Sequence, residues 1–342
     1  MPITRLISTR RLAEAALIGV AIIWGSTFFM VKNATADFSI LAFLALRFTL
    51  ATVAMLPLAM RYGRWPTRVE WRLGIMAGVL MGLSYISQTF ALRVLGAGRT
   101  GFLTGLYVVI VPFLALFLFR HPITRRIGLG AGLAVIGLAL LSGAPGGDLL
   151  GDILALLCGV LYALQILIVE RFPAESSWRL MTPIQMAAVA LLCGGLLPIL
   201  ALVRGCDASV CTALYTFAEP LPTTLPLAVL GTALFTGLAA SSLAFSVQVW
   251  AQRILPPSEA ALIYALESPF SALFGILFLG EILTVGALIG SGMMLVGMVI
   301  SALGSLPADH TAQATLPVRS LLPDLAEGPV GAPNPSTLIA GE

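Results

Sequence analysis

Two charged residues stand where charge is costly: Arg47 inside the apolar run 38–60 and Glu267 inside the run 259–279. If each run is helical, Arg47 lies about 14 Å from the nearer end and Glu267 about 12 Å, too deep for easy escape to the lipid surface. Such groups face a bundle interior, pair with an opposite charge, or line an aqueous pathway. Arg47 therefore either locks the bundle, bonded to helix-end carbonyls or a buried carboxylate, or contacts a substrate carboxylate. Glu267 is either a proton-coupling carboxylate or amine anchor, or a structural partner, Arg47 included. Pro269, two positions on, leaves a helix carbonyl unsatisfied and free for a substrate or a bend.

Neutral polar and aromatic residues extend the set. Gln88 and Gln248 sit mid-span, with Tyr85 and Phe245 one turn earlier in each case. Trp24, Ser26, Thr27, Tyr107, Tyr162, Gln165 and Tyr264 supply an amphipathic lining suited to a small zwitterion with an apolar side chain. Taken singly, such residues more often pack or bond helix backbones than hold ligands. An enzyme would need a nucleophile with its base, or a metal cluster. The two histidines, His121 and His310, fall in a loop and near the C-terminus, so no catalytic residues, metal or cofactor are expected. No G-x-x-x-x-G-K-[ST] motif points to nucleotide-driven work, and Gly128-Leu-Gly-Ala-Gly132 lies in an apolar run without the preceding strand of a dinucleotide loop.

The elements that must position these residues are membrane spans. Of 342 residues, 58% are hydrophobic and 10% charged, with mean hydropathy +1.00, so the lipid bilayer is the chain's natural surrounding. Ten charge-poor stretches are long enough for about 30 Å of hydrocarbon, near 14–32, 38–60, 73–93, 99–119, 126–143, 151–170, 180–203, 226–251, 259–279 and 284–304. Without strand-like alternation, helices must satisfy the backbone. The arginines before the first run resemble a signal peptide, but no A-x-A-like site follows and further apolar runs do. With the N-terminus inside, 14 basic residues fall on the cytoplasmic side and 4 on the other, Arg47 set aside. The expectation is a multi-pass inner-membrane protein with both termini cytoplasmic. The net charge of +3, with Lys32 the sole lysine, offers no basic patch for nucleic acid.

A repeat organises the spans. A shift of 160 residues lays Gln88 on Gln248, Arg93 on Arg253, Leu106 on Leu266 and Thr124 on Thr284. Gly130, Gly132 and Gly137 then fall on Gly290, Gly292 and Gly297, without a gap over about 50 residues. A five-span unit crosses the membrane an odd number of times, so its duplicate starts from the opposite side. The predicted fold class is thus an all-α membrane protein of ten helices in two inverted five-helix repeats, 13–143 and 151–304. Inverted repeats that enclose a midplane site are a device of secondary transporters, whereas a channel, a receptor or an intramembrane enzyme is the competing reading.

Trp24-Gly-Ser-Thr-Phe28, Leu46-Arg47-Phe48, and Leu266-Glu267-Ser-Pro-Phe270 through Leu279-Gly280-Glu281 resemble, in order and spacing, the EamA family of the drug/metabolite transporter superfamily. The resemblance spans residues 14–304. It implies ten helices around a central cavity that exports amino acids, related metabolites or drugs. This chain departs from the family pattern where Ser268 separates Glu267 from Pro269, and where Arg120-His121 replaces the first-half counterpart of Gly280-Glu281.

Three features stand apart. Cys206 and Cys211, in a polar loop, either pair in an oxidising compartment or stay as two thiols. Gly128-xxx-Gly132 and Gly286-xxx-Gly290 let spans 5 and 10 approach neighbours closely, or serve a homodimer. The proline-rich residues 305–342 read as a disordered cytoplasmic tail, with a docking segment as the alternative.

Overall fold

Short polar side chains open the helices by accepting orphan backbone N–H groups. Ser39 Oγ accepts from Ala42 N at 3.2 Å, Asp148 Oδ1 from Gly151 N at 2.7 Å, and Thr67 Oγ1 from Glu70 N at 3.2 Å. Glu70 closes a capping box by accepting from Thr67 N at 2.8 Å, and it takes both Arg64 Nη1 and Nη2 at 2.7 Å. Thr124 and Thr284, equivalent in the repeat, both cap in the same way, toward Ile127 N and Ala287 N.

In a computed structural model, residues 3–120, 123–142, 148–172, 176–204, 222–255, 260 and 263–304 are described; Cys206, Cys211, His121 and the segment 305–342 lie outside them. The described residues form helices and no strands. In order these are α1 (Ile3–Ala34), α2 (Ile40–Met60), α3 (Arg68–Val94), α4 (Ala97–Gly105), α5 (Tyr107–Phe119), α6 (Arg125–Ser142), α7 (Leu149–Glu170), α8 (Trp178–Arg204), α9 (Leu227–Ala251), α10 (Glu267–Leu279) and α11 (Val285–Gly304). Among the described residues seven spans are long and apolar enough to cross a bilayer, α4 and α5 counted together, and Glu267–Leu279 of α10 and Val285–Ser301 of α11 are shorter apolar segments. In the ninth expected span, turns at Ala265 and Leu266 precede the 13 residues of α10.

Packing follows the repeat. α6 lies against α11, α4 against α10, and α2 against α8, so equivalent spans face each other. The other main contacts come in matched sets: α3 with α7 and α1 with α9, α3 with α8 and α2 with α9, α5 with α7 and α1 with α10. Exchanging the two halves maps each set onto itself. At the α6/α11 crossing, a Cβ on Gly130 would come within 2.5 Å of Gly297 O and one on Gly137 within 2.5 Å of Gly290 O, with the reciprocal clashes for Gly290 and Gly297. The later residue of one helix meets the earlier residue of the other, so α6 and α11 run antiparallel. Gly128, Gly132, Gly286 and Gly292 have open space at their Cβ positions, so the close approach within the chain uses Gly130, Gly137, Gly290 and Gly297.

The fourth and ninth spans share a further detail. Both α5 and α10 are 13 residues long, follow a turn at Leu106 or Leu266, and end on a left-handed residue: Arg120 at φ 56° and Gly280 at φ 65°. Glycine adopts that conformation without steric cost, whereas Arg120 carries a Cβ there.

Candidate functional site

The turn at Leu106 separates α4 from α5, the turn at Leu266 precedes α10, and a cavity lies beside the helices that follow them. It is lined by Trp24 and Thr27 from α1, Ser84, Tyr85 and Gln88 from α3, Thr104 from α4, Tyr107 from α5, Cys158 and Tyr162 from α7, and Glu267 from α10. The cavity is narrow, with a volume of about 30 Å³, so a ligand larger than water needs its walls to move apart. Tyr107 and Glu267 are the first residues of their helices and occupy equivalent repeat positions. The helix N-terminus behind Glu267 favours a negative charge there.

Glu267 is half-buried, and its carboxylate has no hydrogen bond or ion pair with a described residue. Arg47 is not its partner. At 1% exposure, Arg47 donates from Nε to Ser241 Oγ at 3.0 Å and from Nη2 to Tyr85 Oη at 3.5 Å. Its guanidinium carbon lies 4.6 Å from the Tyr85 ring centre and 5.1 Å from that of Phe48. The arginine thus supports Tyr85 from behind, and Tyr85 presents to the cavity.

An aromatic wall continues from there. Trp24 packs on Phe245, Tyr264 and Tyr162 at 5.2, 5.7 and 6.3 Å, and Tyr162 meets Tyr107 edge-on at 4.9 Å. Tyr85 touches Phe245, its repeat equivalent, at 6.4 Å. The hydroxyls of Tyr107, Tyr162 and Tyr264 are buried without a partner among the described residues. A π-helical segment, Thr236–Leu243, interrupts α9. It offers Ala240 O to the Trp24 indole N–H at 2.8 Å and Ser241 to Arg47, a use of irregular helix to position side chains.

Other expected site residues sit elsewhere. Ser26 donates to Ile23 O in its own helix, and Gln165 donates to Gln185 Oε1 at 2.9 Å, joining α7 to α8. Gln248 is fully buried with both amide atoms unpartnered, away from the lining, while its equivalent Gln88 lines the cavity. Tyr264 backs Trp24 from outside the lining. Ser84, Thr104 and Cys158 were not singled out in the sequence. Only the apolar or small-residue setting of each marks it there, and that setting is common to dozens of positions.

The Gly280-Glu281 pair closes one end of the bundle. Glu281 accepts from Ala97 N at 2.5 Å and Gly98 N at 3.1 Å, capping α4 across 184 residues of sequence. Gly96, Gly98 and Gly275 leave room for its carboxylate. Nearby, Lys32 donates to Leu92 O and Leu95 O at 2.8 and 2.5 Å. Arg99 grips Asp152 with two bonds of 2.8 and 2.7 Å and donates to Leu141 O at 2.6 Å. Buried charges of this kind hold only when paired and bonded, as here.

Residues 11–143 and 149–303 both match the EamA-like transporter family, a division that coincides with the repeat. The chain belongs to the EamA-like transporter family. It is 30% identical over 295 residues, 86% of this chain and 87% of the relative, to an uncharacterized transporter of Archaeoglobus fulgidus. A crystal structure 19% identical in sequence superposes with a TM-score of 0.59, covering 85% of this chain and 98% of its own, a likeness of fold alone. The family and the multiple apolar helices make this a multi-pass membrane transporter.

Proposed function

We propose that this EamA-like protein is a secondary transporter of the inner membrane that exports small metabolites, amino acids or related compounds and drugs, by alternating access between two inverted five-helix halves. An even number of spans, ten in this reading, puts both termini on one side of the membrane, and the arginine bias supports the cytoplasm as that side. The observation that carries the reading is the cavity at the paired helix breaks, where equivalent residues of the two halves, Tyr107 and Glu267, face one space. Broken helices at a repeat interface are how transporters build a midplane site. The antiparallel α6/α11 crossing supports inversion, since antiparallel spans cross the membrane in opposite directions.

In this reading the contacts of Glu281, Lys32, Arg99 and Asp152 gather at the outer end and hold it shut. Opening there must release Glu281 from α4, and rocking one half against the other does so. Glu267 is the group placed to exchange a proton with a substrate, because it faces the cavity and no described side chain neutralises it. Flux in proteoliposomes tests this. Substrate on the trans side accelerates uptake of labelled substrate if the protein is a carrier, and leaves it unchanged if it is a channel. Glu267→Gln abolishes proton-driven uphill accumulation while leaving downhill counterflow; equal accumulation by variant and parent contradicts proton coupling.

A further inference from the structure

The serine and threonine hydroxyl protons around the cavity are already committed. Thr27 Oγ1 donates to Trp24 O at 2.7 Å, Ser84 Oγ to Cys158 O at 3.0 Å, and Thr104 Oγ1 to Gly101 O at 3.3 Å. A hydroxyl has one proton and two lone pairs, so these three groups can still accept but not donate. The Trp24 indole N–H is likewise spent on Ala240 O. Glu267 adds a carboxylate without a partner among the described residues. Donor capacity remains at Gln88, at the Tyr107 and Tyr162 hydroxyls, and at Tyr85, whose hydroxyl accepts from Arg47 and keeps its own proton, with the Cys158 thiol a weak donor beside Ser84; all are neutral.

The cation closest to this lining is withheld from it. Arg47 is 1% exposed, bonded to Ser241, and separated from the cavity by the Tyr85 ring that it stacks on. A ligand carboxylate would therefore meet Glu267, lone pairs and aromatic faces, with neutral donors and the N-termini of α5 and α10, but no side-chain cation among the described lining residues, to offset its desolvation. A ligand ammonium meets the opposite: one carboxylate, several acceptors, and the negative faces of Trp24, Tyr107 and Tyr162.

From this, resting on the carrier reading above and narrowing its substrate range, we propose that the transported class is the protonated primary or secondary amine with a flat apolar body, bound in preference to zwitterionic amino acids and carboxylates. The N–H groups bind Glu267 and the oxygens of Thr27, Ser84 and Thr104, while the body lies against Trp24 and Tyr162.

Binding to the purified full-length protein at neutral pH, by titration calorimetry, tests the class with three probes that share a phenyl body: 2-phenylethylamine, phenylalanine and 3-phenylpropionate. A charge-assisted hydrogen bond at Glu267 gives the amine at least about a tenfold advantage over the other two. Glu267→Gln reduces that advantage to about threefold or less. The probe series on the parent protein decides the matter even if the variant fails to fold. Phenylalanine or phenylpropionate binding as tightly as the amine, or no binding by any probe, overturns the proposal, as does undiminished amine preference in a folded Glu267→Gln protein. Counterflow with phenylalanine but not the amine would remove the class and leave the carrier. Amine binding with no counterflow would remove the carrier and leave the class as that of a binding site.

Discussion

Tyr107 and Glu267 stand at the same point of the two repeats, each the first residue of a thirteen-residue helix that follows a turn, and both face one cavity. Duplication supplied the shared backbone, and divergence at one position placed a phenol opposite a carboxylate. The phenol of Tyr107 is buried without a partner among the described residues. Removing an unsatisfied hydroxyl costs no native hydrogen bond. Tyr107→Phe is therefore expected to keep or slightly raise the melting temperature in detergent while lowering substrate affinity by about 3- to 10-fold. A matching loss of stability would mean that the hydroxyl serves packing instead.

Arg47 predicts a different pattern. Its planar guanidinium bonds Ser241 and stacks on Tyr85 and Phe48 at once, which a lysine ammonium cannot reproduce. Arg47→Lys is expected to destabilise the protein by about 1–3 kcal/mol and, by freeing the Tyr85 ring, to slow transport. Unchanged stability with a purely kinetic defect would contradict this supporting role.

The two kinds of glycine in α6 and α11 separate cleanly. Gly297→Leu forces the backbones of α6 and α11 apart at Gly130 O and should cost about 1–3 kcal/mol, read as a lowered unfolding midpoint. Gly132→Ala, with open space at its Cβ, should be neutral or stabilising by up to about 1 kcal/mol.

Much of this arrangement was legible in the sequence, for reasons that mark its limits. Lipid tolerates so little charge that Arg47 and Glu267 stand out in apolar runs, and the 160-residue shift pairs Leu106 with Leu266, which the structure shows as the paired helix breaks. The partners of these residues were not legible. Spans that are apolar on every face carry no periodic signal of which side looks inward, so Gln165, bonded to Gln185, and Gln88, lining the cavity, look alike in sequence. The π segment of α9 was equally silent, since Thr236–Leu243 is a run of small residues that also suits a regular helix. The role of Glu281 depends on α4, whose N-terminus is distant in sequence, and no local pattern announces a cap of that kind.

Alternating access in this protein requires two bundles of opposite orientation enclosing the cavity between them. Compartment-sensitive reporters fused at the N-terminus and after Pro145, between the halves, test it most directly. Inverted halves give a cytoplasmic signal at the first position and an external one at the second; both signals in the same compartment would contradict the inversion.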